Sequence, residues 1–124
     1  ERLRVAYDFD PASSVFKIPP MMLQTIVENG VKHGISKIKG GGLIHIRSKV
    51  IDQLLHVEIR NSGKYQPAPD RVEGYGISST RQRLDLLFHQ KASFKIGNTP
   101  EGEVLTEIIL PRWDESELMV SNLR

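Results

Sequence analysis

Asn29, Lys32 and His33 fall at helical spacing in Leu23-Gln24-Thr25-Ile26-Val27-Glu28-Asn29-Gly30-Val31-Lys32-His33-Gly34, and with Thr25 they share one side of a helical wheel. An amide oxygen such as that of Asn29 can ligate a hard divalent cation, magnesium among them. A lysine ammonium one turn away can hold a phosphate oxygen. The pair suits a polyphosphate carried with its metal. The opposite side, Leu23, Ile26, Val27, Gly30 and Val31, is an apolar stripe of the kind any surface helix carries. Taken alone, the polar side also fits a solvated helix face, so the decision rests on the segments that follow.

Two of those segments bear on the same chemistry. Asn61-Ser62-Gly63 closes an alternating apolar run, where a polar side chain at the strand end can read the edge of a base by hydrogen bonding. A plain turn has the same composition. Gly74-Tyr75-Gly76 directly precedes a second helical pattern. Glycines let backbone amides approach a phosphate closely, and a helix N-terminus supplies free N–H groups and positive potential. Ser78 and Ser79 offer the alternative of simple caps for that helix.

Other chemistries are excluded. The glycines at 40 to 42 are followed by neither Gly-Lys-Ser/Thr nor an immediate helix, so they form no P-loop. His33, His45, His56 and His89 lack metal-ligand spacing, and His45 and His56 fall on the outward sides of their strands. No serine sits in a nucleophile-elbow sequence. With no cysteine there is no disulfide, thiolate zinc site or cysteine nucleophile.

The elements that must position these residues follow from periodicity. Arg2 to Asp10 alternates through Leu3, Val5, Tyr7 and Phe9, the pattern of a half-buried strand. A turn at Asp10-Pro11-Ala12-Ser13-Ser14 leads through Val15 to Ile18, and Pro19-Pro20 opens the first helix, which Gly34 stops. Lys39 to Gly42 connects to a strand with Ile44, Ile46 and Val50 on one face. Asp52-Gln53 turns it into an antiparallel partner with Leu55, Val57 and Ile59 inward. Residues 61 to 73 have no periodicity and two prolines, the mark of a functional loop, and a lid that closes on nucleotide is expected there, aided by Lys64 or Arg71. The second helix has Ile77, Thr80, Leu84, Leu87 and Phe88 on its core side. Strands near Ser93 to Ile96 and Val104 to Leu110 flank a turn at Asn98 to Gly102. Strand, helix, hairpin, helix, hairpin predicts an α+β fold, a two-layer sandwich whose helices cover one face of a mixed, mostly antiparallel sheet.

Length and charge fit that plan. The 124 residues allow one domain, expected over residues 1–111, with a polar tail at 112–124. Charged residues make up 26% and hydrophobic ones 39%, as in a soluble globular protein. The net charge of +2 is scattered, so nucleic acid is not an expected partner. No segment is apolar for the length of a membrane helix, and a start at Glu1 in place of Met suggests a piece excised from a longer protein.

The segments in this order resemble the ATP-binding domain of sensor histidine kinases, in the LytS-like branch of the GHKL ATPase superfamily. Pro19-Pro20, Leu23-Gln24, Glu28-Asn29, Lys32, His33-Gly34, Arg83-Leu84 and the ending Ile108-Ile109-Leu110-Pro111 all match its pattern, which spans about Arg2 to Pro111. The resemblance implies a histidine-kinase-type fold and a two-component, phosphorelay signalling role with ATP and Mg2+ as cofactors. The γ-phosphoryl group would pass to a histidine on an upstream dimerisation segment, because the His-Phe pair of that acceptor is absent here. It further implies catalytic roles for Glu28 and Asn29, with Asn29 as metal ligand. Lys32, His33, Asn61, Gly63, Gly74, Tyr75, Gly76 and Ile77 would line the nucleotide site. The implied partners are that upstream segment, a cognate response regulator and a second kinase subunit, and the setting is the cytoplasmic side of a membrane-anchored kinase whose membrane segments lie elsewhere.

Departures from the pattern mark an alternative, a nucleotide-binding regulatory module without phosphoryl transfer. Asn61 stands where the family places an aspartate that accepts from the adenine amino group, and an uncharged acceptor is weaker. Tyr65 replaces a glycine, Ser79 an asparagine and Glu103 a threonine. An ATP-hydrolysing reading, as in the gyrase and heat-shock chaperone branches, requires a glutamate base where this chain has Thr25. Glu28, next to Asn29, points roughly 100° away around the helix.

Overall fold

Alternating and helical apolar patterns collapse here into one shared core. The structure is a computed structural model that describes residues 2–18, 20–33, 41–63 and 75–112. In chain order its elements are β1 (Arg2–Phe9), a 3-10 helix (Pro11–Val15), α1 (Pro20–His33), β2 (Gly41–Ile51), β3 (Leu54–Ser62), α2 (Tyr75–Phe88), β4 (Ser93–Asn98) and β5 (Glu103–Leu110). They form a five-stranded sheet ordered β1-β2-β3-β5-β4. Only β1 and β2 run parallel; the other neighbours are antiparallel. The parallel pair needs a long crossover, and α1 lies within it.

Sheet register explains the core. Ile44, Ile46 and Val50 of β2 stand opposite Asn61, Ile59 and Leu55 of β3, which in turn face Val104, Thr106 and Leu110 of β5. These side chains share one face, because paired residues point the same way and alternate residues do not. Met22 and Ile26 of α1 and Ile77, Leu84 and Phe88 of α2 complete the cluster on that face. Full burial of a side chain such as Ile108 or Leu84 contributes roughly 1.5–3 kcal/mol. The opposite face is polar and carries surface ion pairs, Asp8 with Arg47 at 3.6 Å and Arg60 with Glu103 at 3.6 Å.

The expected plan holds, with four local differences. The deepest residues of α1 are Met22 and Ile26, while Leu23 and Val27 pack at the margin, so the buried stripe is rotated toward Met22. Gly41 and Gly42 belong to β2 and are not part of a flexible connection, because the ladder to β1 begins at Gly41. Tyr75 and Gly76 lie in the first turn of α2 and not ahead of it. The turn after β1 is a 3-10 helix capped by Asp10.

That cap is well built. The Asp10 carboxylate accepts from the N–H of Ala12 at 3.0 Å and from the N–H of Val50 at 3.0 Å, while its own N–H donates to the Ser48 carbonyl at 3.1 Å. The N–H groups of Val50 and Ala12, with a smaller contribution from the Lys49 charge, hold the carboxyl below its ordinary value. Asp52 and Gln53 both take positive φ, 51° and 66°, as a two-residue type I′ hairpin turn requires.

Candidate functional site

The sheet has two ends, and connectivity sends the chemistry-bearing residues to one of them. The β1 residue Phe9 pairs with Ser48, toward the Asp52-Gln53 turn, so α1 starts near that end and must climb to where Gly41 begins β2. Asn29, Lys32 and His33 occupy the last turns of α1, on the climbing side. Strand β3 finishes at this same upper end, because Asn61 pairs with Ile44 and Ser62 with Glu103. Helix α2 then runs back toward the lower end, where Ser93 pairs with Ile109. Its N-terminus therefore lies on the side of Asn61. One end of the domain gathers the close of α1, the close of β3 and the start of α2.

Asn61 is the best-defined member. It sits on the helix-bearing face between Ile44 and Val104 and is only 5% exposed. Its Nδ2 donates to the Ser62 carbonyl at 3.0 Å. That bond fixes the amide orientation, since only the nitrogen can donate, and it leaves Oδ1 directed elsewhere. Among the described residues Oδ1 has no donor. A buried acceptor left unpaired costs about 1–3 kcal/mol, so native proteins rarely keep one without a use.

Gly63 follows with φ of 120°, a conformation that side chains rarely adopt, so glycine is required there to turn the chain off β3. The first turn of α2 holds no acidic side chain, so none within that turn opposes an anion at the positive end of the helix. Ile77 is buried in the core under that turn. Glu28 is exposed, and its Oε1 accepts from Gln24 Nε2 at 3.1 Å, one turn back on the same helix.

The remaining expected site residues fall partly outside this description. Asn29, Lys32, His33, Tyr75 and Gly76 have helical backbone, but their side chains lie outside the described residues, as do Gly74 and residues 64–73 of the loop expected to form a lid. The tail at 113–124 does too. Among the described residues no cluster of three or more His, Asp or Glu could hold a metal. No described helix is long and apolar enough to cross a membrane.

Thr106 is a second buried polar residue near Asn61 that sequence reasoning passed over. It lies opposite Ile59, one diagonal step from Asn61, and is 1% exposed. Among the described residues its hydroxyl has no partner. The signal was present: in Val104, Thr106, Ile108 and Leu110, the inward positions of the last strand, one is polar.

No family model matches the chain. It is similar to the sensor histidine kinase BtsS of Escherichia coli, 31% identical over 116 residues, which is 93% of this chain and 20% of that protein. It is 24% identical over 126 residues to the sensor protein LytS of Enterococcus faecalis, covering 92% of this chain and 21% of LytS. The chain thus spans about a fifth of the length of the curated relatives it matches. Among solved structures it matches a nucleotide-free catalytic domain of the histidine kinase ThkA with a TM-score of 0.64 at 19% identity, over 89% of this chain and 78% of that one. The sheet order, the two helices on one face and these relatives agree along nearly the whole chain, which is homologous to one segment of sensor histidine kinases and has the fold of a histidine kinase catalytic domain.

Proposed function

We propose that this domain binds ATP at the upper end of the sheet and holds it for transfer of the γ-phosphoryl group to a histidine on an upstream dimerisation segment. The observation that carries the reading is the buried Oδ1 of Asn61, which has no donor among the described residues. An exocyclic amino group such as that of adenine supplies the missing N–H, and binding then relieves a cost already present in the free domain. The positive end of the α2 dipole, with no acidic side chain in its first turn, favours phosphate at the same end. Asn29 would ligate the Mg2+ that travels with the nucleotide, with Lys32 and His33 beside it and Gly74, Tyr75 and Gly76 shaping the phosphate-facing turn. A bound magnesium neutralises the phosphate charge that develops during transfer. Positioning and charge neutralisation account for most of phosphoryl-transfer catalysis, so a domain without its own nucleophile can still be the catalytic half.

Glu28 is proposed to orient the acceptor histidine, with Gln24 holding its carboxylate in place. Within a two-component system, the further partners would be a response regulator and a second kinase subunit, and the domain would work on the cytoplasmic side of the membrane. Calorimetric titration with ATP and GTP, each with magnesium and with EDTA, tests the reading. Wild-type protein is expected to prefer ATP, and Asn29→Ala to lose affinity chiefly when magnesium is present. Absence of adenine-nucleotide binding at millimolar concentration overturns it. Equal loss for Asn29→Ala in EDTA removes Asn29 from the metal.

A further inference from the structure

The two edges of the sheet are built differently. Strand β4 is short, and its outward positions carry Lys95 and Gly97, the kind of edge that resists pairing. Strand β1 has eight residues and, among the described residues, pairs only with β2. Val5, Tyr7 and Phe9 stand opposite Ile44, Ile46 and Ser48, on the helix-bearing face, yet they are 39%, 63% and 54% exposed. The Tyr7 and Phe9 rings lie against each other, 5.5 Å between centroids, and form an apolar row that α1 and α2 leave uncovered. The other face of the strand offers Arg4, Ala6 and Asp8. Along its free side, alternate backbone N–H and C=O groups point away from β2 with no strand to receive them among the described residues.

We propose that β1 pairs antiparallel with β1 of a second copy of this chain, about a two-fold axis through Ala6, joining the two five-stranded sheets edge to edge. This register is selected by the sequence of the strand. Centred on Ala6, Arg4 faces the partner's Asp8 and Asp8 faces the partner's Arg4, two opposite-charge pairs on one face. On the other face Val5 meets the partner's Tyr7 twice, the β-branched and aromatic combination that stabilises neighbouring strands. Centring on Val5 instead would oppose Val5 to itself, leave Arg4 against Ala6 and carry Phe9 past the end of the strand. An axis between residues would turn one copy over and set the apolar row against the charged one. Asp8 already meets Arg47 at 3.6 Å, so the partner's Arg4 would give this carboxylate cations from two sides. Inside a kinase dimer two such domains would meet at an effective concentration of about millimolar, so even weak pairing would be populated. The pairing stands apart from nucleotide binding, whose residues sit on other elements.

The chain has no cysteine, which makes the test direct. Residues facing each other across an antiparallel pair have Cβ atoms about 4.5–5.5 Å apart, and the close end of that range meets the roughly 3.5–4.5 Å that a disulfide spans. In this register only Ala6 faces itself. Under mild oxidation Ala6→Cys is expected to form covalent dimers, while Arg4→Cys and Asp8→Cys, each displaced from its own copy by roughly 13 Å along the strand, are not. In sedimentation equilibrium the wild-type chain is expected to dimerise reversibly at high micromolar to millimolar concentration. Arg4→Glu should weaken the dimer on the order of tenfold, and Arg4→Glu combined with Asp8→Arg should recover most of the loss. Circular dichroism of each variant checks that the fold is intact. A chain that stays monomeric throughout, or cross-linking equal at the three positions, overturns the proposal.

Discussion

Asn61 and Asp10 are both short polar side chains at strand ends, and they use their hydrogen-bonding capacity in opposite ways. Asp10, near solvent, accepts two backbone N–H groups and ties the end of β1 to β2 through Val50. Asn61 is buried, uses its amide nitrogen on the adjacent carbonyl, and leaves its oxygen without a donor among the described residues. Solvent could satisfy Asp10 without any of this structure. It reaches Asn61 hardly at all. A polar group satisfied by its own backbone belongs to the architecture, whereas one buried and half-satisfied points to a ligand.

Breaking the Asn61 side should have the largest effect. Asn61→Leu removes the acceptor and is expected to weaken ATP binding by about 1–3 kcal/mol, roughly 5- to 150-fold, in calorimetric titration. The free domain should melt close to the wild-type temperature, because the burial cost of the unpaired oxygen disappears with it. A large drop in melting temperature would place Asn61 with Asp10, in the architecture.

Asn61→Asp sharpens the same contrast. A charged acceptor should tighten ATP by about 1 kcal/mol. GTP, with a carbonyl at the corresponding position, should gain nothing. The free domain should lose stability, since a carboxylate oxygen would then face the Ser62 carbonyl where an N–H now donates. Equal improvement for both nucleotides would end the base-reading role. A smaller change is expected from Thr106→Val, which removes a buried hydroxyl that has no partner among the described residues. Its thermal stability should stay within about 1 kcal/mol of wild type or rise, and ATP affinity should fall a few-fold if the hydroxyl faces the base.

Asp10 gives the smallest effect, visible only in acid. Its folded value lies below the ordinary aspartate value of 3.8, so its contribution to stability is complete above 3.8 and is lost as pH falls through the lowered folded value. Acid melts of wild type and Asp10→Asn should therefore differ in slope below that pH. ATP affinity at neutral pH should be the same for both. A neutral-pH loss of affinity in Asp10→Asn would blur the line between the two residues.

Much of this was legible in the chain. Alternation at Leu55, Val57 and Ile59 and helical spacing at Ile77, Thr80, Leu84 and Phe88 named their own inward faces, because periods of two and 3.6 residues are properties of a single element. The hairpin at Asp52-Gln53 was readable from adjacent strand patterns, and Asn61 stood out as the polar residue closing one of them. Which strands lie beside which was not readable, since β3 pairs with β5 across α2 and the whole of β4. Nor could local pattern show that Tyr7 and Phe9, inward by alternation, are left exposed, because coverage depends on how far two separate helices reach across the sheet. By itself the sequence determined the element types, their inward faces and the residues available for chemistry. Only the tertiary structure decided that, among the described residues, Asn61 is buried with an unmet oxygen near Thr106 and β1 is a bare edge, because burial and pairing are set by neighbours distant along the chain.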